Sequence, residues 1–236
     1  MHRFYLPNFQ QPVLSDEEAH HAVHVLRLKA GDTLNVFDGR GHEAQCKIAE
    51  MSKDAVHLTI LQRSSTASLP CRITLAQAVP KKNMDLIVQK ATELGVSVIV
   101  PLLSERTVVQ LDEDSKKVKR WCEIALDACK QCGNNWLPEL QPPQKVRDFL
   151  NALGKFDLKL IASLQPDAKP LKHLLTDKRP ATVLILIGPE GDFTPAELSL
   201  TKSAGCLPLS LGPLVLRAET AALYALSILH HELQVA

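Results

Sequence analysis

The chain has 236 residues, 45% of them hydrophobic, enough for one large domain or two small ones with real cores. Its formal net charge of +1 excludes a chain-wide basic field, so any nucleic-acid surface must be local. The opening Met1-His2-Arg3-Phe4-Tyr5 lacks the apolar stretch of a signal peptide, and no run reaches the ~18 apolar residues of a membrane span, so the cytoplasm is the expected compartment.

Ser15-Asp16-Glu17-Glu18 reads as a capping box that opens a helix through His20, His21, His24 and Leu26. Short β-type segments follow at Thr33–Phe37, Glu43–Glu50 and Ala55–Leu61. Asp38-Gly39-Arg40-Gly41 forms the first turn and Met51-Ser52-Lys53-Asp54 the second. Consecutive short strands joined by tight turns predict a small antiparallel barrel. The polar stretch Arg63–Pro70 reads as a linker, which divides the chain into residues 1–70 and 71–236.

Beyond the linker strands and helices alternate. Ile73–Val79 is a strand, Asn83–Leu94 a helix stopped by Gly95, Val96–Leu102 a strand, and Ser115–Cys132 a helix with Gly133 past its end. Phe156–Ser163, Val183–Ile187 and Leu207–Leu211 are further strands, and Glu219–Leu233 is a closing helix. Strands of unbroken aliphatics between helices predict a mainly parallel sheet covered on both faces. The closing helix is apolar on most faces, so it is buried within the fold or by a partner.

The six cysteines are too few for a disulfide framework. Cys129 and Cys132 have CxxC spacing without a second ligand pair, and with Cys122 they fall near one helix face. They read as small buried hydrophobes, with no metal expected. His20 and His24 lie four apart, a spacing open to a metal but also to solvent or phosphate contact.

The segment "LILIGPEGDFTPAEL", residues 184–198, runs from a strand through a glycine turn into a helix start. Thr194 is the N-cap, Pro195 the first helical residue and Glu197 the closing member of a capping box. The turn can be a turn and nothing more, but a strand, glycine turn and helix often hold a small molecule. It has no Walker lysine and no dinucleotide fingerprint. Pro189 removes a backbone donor, and Glu190 adds negative charge where a phosphate would sit. Free ribose hydroxyls or a cationic ligand fit better. A second such turn follows in "LGPLVLRAETAALYAL", residues 211–226, where Arg217 and Glu219 flank a helix start. Two turns after neighbouring strands predict one shared pocket.

Together with "HHAVHVLRLKAGD", "VFDGRGHEAQCKI", "QKATELGVSVIVPLLSERTVV" and "ALDACKQCGNNWLPEL", these two motifs resemble the SPOUT-superfamily methyltransferases that act on uridine N3 of 16S ribosomal RNA. The resemblance spans nearly the whole chain. It implies an α/β fold, with a small N-terminal PUA-like β-barrel for RNA and a C-terminal α/β trefoil-knot methyltransferase domain. It also implies a homodimer and S-adenosylmethionine as cofactor, held among Leu164, Ile187, Gly188, Glu190, Gly191, Leu211, Gly212, Leu216 and Arg217. Asp192, Leu214 and Asn134 depart from the family pattern, which more often has a glycine at the first position and arginines at the other two.

Methylation at an imide nitrogen needs a proton acceptor and a positive group for charge developing on the flanking carbonyl oxygens. Arg217 is the candidate cation. Glu219 is the candidate acceptor, with a structural role at its helix start as the other reading. Arg27 and Lys29, with Arg3, form a local basic surface suited to phosphates, which Lys81, Lys82 and Arg106 would extend. A helix end with favourable cations accounts for the same run. The partners implied are 16S ribosomal RNA or the small ribosomal subunit. A non-catalytic RNA-binding or ribosome-assembly protein with the same fold would bind RNA and not the cofactor.

Overall fold

A computed structural model describes residues 2–52, 54–107, 116–175 and 179–234. They form two compact units, Met1–Ser68 with Leu126–Leu137, and Leu69–Ala125 with Pro138–Ala236.

The first unit contains β1 (Arg3–Tyr5), β2 (Val13–Ser15), α1 (Asp16–His20), a π-helical turn (His21–Val25), β3 (Thr33–Phe37), β4 (His42–Met51) and β5 (Ala55–Ser65). Its sheet runs β1-β3-β4-β5-β2. Period-two alternation turns Leu34, Val36, Ala44, Cys46, Ile48, Val56 and Leu58 onto one core with Phe4, Leu14, Ala19 and Ala22. The three predicted strands pair antiparallel as expected, β3 with β4 and β4 with β5, but the barrel does not close: β1 joins parallel to β3 and the ordered path ends at β1 and β2. This is a half-barrel. The Asp38–Gly41 turn forms as expected, with Gly39 and Gly41 at φ 73° and 93°. The second turn joins β4 to β5, though Lys53 within it lies outside the described residues. The predicted linker also shortens, since Arg63, Ser64 and Ser65 pair with Ala44, Glu43 and His42.

The predicted capping box at Ser15 does not form. Ser15 makes no capping bond and Asp16 sits at φ 50°. The Glu18 carboxylate, which the box would use, pairs instead with the Lys130 ammonium. The helix is likewise not α-helical to Leu26. Leu26 N–H reaches back to the His21 carbonyl at 2.9 Å and Leu28 N–H to that of Ala22 at 3.0 Å, closing a widened last turn on Arg27 in the left-handed region.

The second unit contains β6 (Arg72–Ala78), α2 (Met84–Glu93), β7 (Val98–Leu103), α3 (Lys116–Cys132, counted with the first unit from Leu126), β8 (Glu139–Leu140), β9 (Gln144–Lys145), α4 (Val146–Asn151), β10 (Leu158–Ala162), α5 (Leu171–Leu174), β11 (Thr182–Ile187), α6 (Pro195–Ser203), β12 (Leu207–Leu209) and α7 (Ala218–Gln234). Every pairing is parallel, in the order β12-β10-β11-β6-β7-β8 with β9 also on β7. One face buries Ala76, Val100, Leu184 and Leu186 beneath Val146, Phe149 and Phe193. α7 packs on α2 and β11 and buries Ala222, Ala225, Leu226 and Leu229. The strands and long helices match the predicted segments to within about two residues; Ser115, the expected start of α3, lies outside the described residues.

On α3 the buried stripe is Trp121, Ala125, Ala128 and Cys129. Cys122 and Cys132 are exposed, which corrects the reading of all three thiols as buried. Burial pushes the Cys129 thiol up to about 12. No helix of the described residues is long and apolar enough to cross a membrane.

The capping box at Thr194 is complete. The buried Glu197 accepts from Thr194 N–H at 2.9 Å, and its other oxygen accepts from Glu105 N–H at 2.9 Å. Glu197→Ala leaves two backbone donors unsatisfied and is expected to lower stability by about 2–4 kcal/mol in urea unfolding, with Glu197→Gln losing markedly less.

Candidate functional site

Three chain segments meet at the carboxyl ends of β10 and β11. β10 delivers Ala162, Ser163 and Leu164; β11 delivers Ile187 and the Gly188–Asp192 turn; the loop after β12 delivers Leu211 through Leu216. They line a cleft of about 620 Å³ counted to its open mouth, and Ala218 and Ala221 of α7 close it. The strand order explains the meeting. The chain leaves β11, crosses to β12 on the far side of β10, and returns to set α7 against β11. The two glycine turns therefore lie side by side.

The turns are shaped by backbone geometry. Gly212 has φ 104°, a region that β-branched residues do not enter, although a Cβ there would meet nothing within 4 Å. Gly188 is tight for another reason, since a Cβ would lie 3.2 Å from Asp192 Oδ1 and 3.4 Å from the Phe193 ring. Asp192 occupies φ 62°, as an Asp in a glycine-favouring position can, and its carboxylate accepts Phe193 N–H at 2.7 Å.

Of the residues expected to hold a cofactor, Leu164, Ile187, Gly188, Glu190, Leu211, Gly212 and Leu216 line the cleft. Gly191 and Arg217 are outside its lining. Gly191 uses its carbonyl to accept from the Arg106 guanidinium, and Arg217 is exposed at the α7 start, where its carbonyl accepts Ala221 N–H at 2.8 Å. Sequence reasoning did not single out Ala162, Ser163, Pro189, Val215, Ala218 or Ala221 as lining. Position at a strand's carboxyl end was the available signal for the first two. The lining carries two carboxylates and neither Lys nor Arg. That donor set suits ribose hydroxyls and a sulfonium and repels phosphate.

Glu190 also fastens the loop between β6 and α2, accepting Lys81 N–H at 3.0 Å. Lys81, Lys82 and Arg106 are all exposed. Two of the three are thus tied to the Gly188–Asp192 turn, Lys81 by its backbone and Arg106 by its side chain. Glu219 accepts from the Asn83 side-chain amide at 3.0 Å.

In the first unit Arg27 and Lys29 are exposed. Arg3 is not part of an open basic surface. Its guanidinium donates to Glu43 at 2.7 Å and to Asn135 at 2.8 Å and lies 4.9 Å from the Phe37 ring centre, so its charge is neutralised inside the unit. The His20 and His24 rings lie 4.8 Å apart, and among the described residues no group of three or more His, Cys, Asp or Glu is arranged for a metal.

A parallel sheet with a cleft at its strand ends, in one chain with a small half-barrel, is the build of an RNA methyltransferase. The RNA methyltransferase domain family matches residues 67–230, and the RNA methyltransferase PUA domain matches residues 14–61. Ribosomal RNA small subunit methyltransferase E of Bacillus subtilis is 30% identical over 100% of this chain and 98% of its own length. The enzyme of that name from Neisseria gonorrhoeae, solved bound to S-adenosyl methionine, is 32% identical with a TM-score of 0.88, covering 98% of each chain. A Legionella pneumophila structure in complex with bound SAM is 39% identical, with a TM-score of 0.90 over 98% of this chain and 97% of that one. The chain belongs to the ribosomal RNA small subunit methyltransferase E family.

Proposed function

We propose that the protein transfers a methyl group from S-adenosylmethionine to N3 of a uridine in 16S ribosomal RNA, as free RNA or within the small subunit. The observation that carries this reading is the cleft between two glycine turns, apolar, acidic and without a cation. Leu164, Ile187, Gly188, Glu190, Leu211, Gly212 and Leu216 hold the cofactor, largely through backbone and apolar contact. Gly191 and Arg217 act from just outside the lining. When bound, S-adenosylmethionine supplies an electrophilic methyl on a cationic sulfur.

Arg217 has no side-chain partner among the described residues, so its guanidinium is available to the uracil carbonyl oxygens as they gain charge. Glu219 is the acceptor for the imide proton. Arg27 and Lys29 bind RNA phosphates in the N-terminal, PUA-like domain, residues 1–70. Lys81, Lys82 and Arg106 do so beside the cleft in residues 71–236. The crossing to β12 and the return to α7 are the course that a knotted C-terminal segment requires.

The protein acts as a homodimer. Leu214 and Val215 are 72% and 80% exposed and Tyr224 on α7 is 46% exposed, an apolar surface suited to a second copy. Light scattering at micromolar concentration is expected to give twice the 26.0 kDa chain mass; a monomer mass ends that part of the reading.

Gly212→Val forces a β-branched residue to φ 104° and is expected to weaken S-adenosylmethionine binding by at least ~10-fold in calorimetry while the chain stays folded.

Docking and chemistry separate by mutation. Arg27→Gly suits the left-handed backbone at φ 53°, so it removes the charge without straining the fold. RNA affinity should fall with a shallower salt dependence, and cofactor affinity should hold. Arg217→Ala should bind RNA normally and transfer methyl ~100-fold or more slowly in single turnover with both substrates saturating. Parental-rate transfer by that variant removes Arg217 from the chemistry.

A further inference from the structure

Asn83 combines two unusual features. It sits at φ 69° in the left-handed region, and it stands at the N-cap of α2 without capping it. An Asn side chain at that position ordinarily accepts from the helix's first backbone donors, which stabilises the helix by about 1 kcal/mol. Here the side chain turns away, and its Nδ2 donates to Glu219 Oε1 at 3.0 Å. Two residues earlier the same loop donates Lys81 N–H to Glu190 at 3.0 Å. The loop is therefore fastened to an acid from the first glycine turn and to an acid at the α7 start.

The polarity of the Asn83 bond matters. An amide N–H can hold a carboxylate oxygen but cannot take its proton. One Glu219 oxygen is thus committed, and the other has no hydrogen-bond partner among the described residues. Glu219 adjoins Ala218 and stands two residues from Ala221, both of which line the cleft.

We propose that Asn83 is a positioning residue, which orients Glu219 so that its open oxygen takes the proton from the target imide nitrogen. The proposal rests on the reaction stated under Proposed function. In that step the N3–H proton passes to the carboxylate, and N3 uses its electron pair to form the N–CH3 bond. The pair of the breaking S–CH3 bond stays with sulfur, which becomes a neutral thioether.

Three variants test it. Asn83→Gly keeps the left-handed backbone at no steric cost and deletes the donor. It is expected to lower kcat about tenfold, with KM for RNA and affinity for S-adenosylhomocysteine within about twofold of the parent. Glu219→Gln should lose ~100-fold or more, since a carboxamide is not a base at neutral pH. Asn83→Asp combined with Glu219→Gln restores a hydrogen bond of reversed polarity between the two positions. This double variant should regain parental thermal stability in calorimetry and remain as slow as Glu219→Gln. Parental kcat in Asn83→Gly, or recovered turnover in the double variant, makes the pair a structural latch and overturns the proposal. The methylated nucleoside is identified by mass spectrometry alongside. A parental product methylated elsewhere than N3 overturns the reaction itself, whereas an N3 product with a parental-rate Asn83→Gly overturns the positioning role alone.

Discussion

Because β12 pairs with the far side of β10, the chain leaving β11 must step across a strand, and the chain leaving β12 must come back. Each passage needs a sharp turn at the same edge of the sheet. The first is Gly188–Asp192 and the second Leu211–Leu216, and the cleft is the space they enclose. Parallel pairing fixes which edge this is, since the carboxyl ends of β10 and β11 point the same way. Had β12 extended the sheet beyond β8, three strands would separate the two glycine turns and they would enclose nothing. The return also sets the position of α7, whose first residues close the cleft while its apolar side packs on α2 and β11.

Carboxylates then hold the surrounding loops in place. Glu190 takes the Lys81 amide, Glu197 takes those of Glu105 and Thr194, and Asp192 takes that of Phe193. Each bond joins an acid of the 188–197 segment to a backbone donor that would otherwise depend on water, and a charged acceptor makes such a bond stronger than a neutral one. Glu190 and Glu197 between them fix the two loops that carry Lys81, Lys82 and Arg106. The basic side chains are thus mounted on the scaffold that forms the cleft.

Much of this was legible in the sequence. Strands β6, β7, β10 and β11 are mostly aliphatic, interrupted only by single residues such as Gln77, Pro101 and Lys159, and Gly95 and Gly133 end their helices at φ 74° and 81° as expected. The Thr194 box formed with one Glu197 oxygen while the other accepts from Glu105 N–H, so the distant contact adds to the box. The Ser15 box failed because Glu18 found Lys130, 112 residues away, which no local pattern can announce. β1, β2, β8 and β9 are two or three residues long, too short for periodicity to register, so the parallel β1–β3 pairing was invisible. Arg3 reads as a surface cation until Glu43 and Asn135 are found around it. At the cleft the turns were legible from their glycines. Leu214 and Val215 were not read as an exposed apolar wall, because a hydrophobic residue in a loop gives no sign of which way it faces.

The charge of that lining bears on competition inside a cell. Adenosine is shared by the cofactor and by the adenine nucleotides, which as a class carry phosphates and are the obvious impostors for any adenosine-shaped cleft. Here Glu190 and Asp192 are the charged groups of the wall, and no lysine or arginine lines it to balance a triphosphate. The two acids of the wall thus set a local negative charge that favours a positive sulfur over a phosphate, while the nearby Arg106 cation is turned to the Gly191 carbonyl just outside the lining.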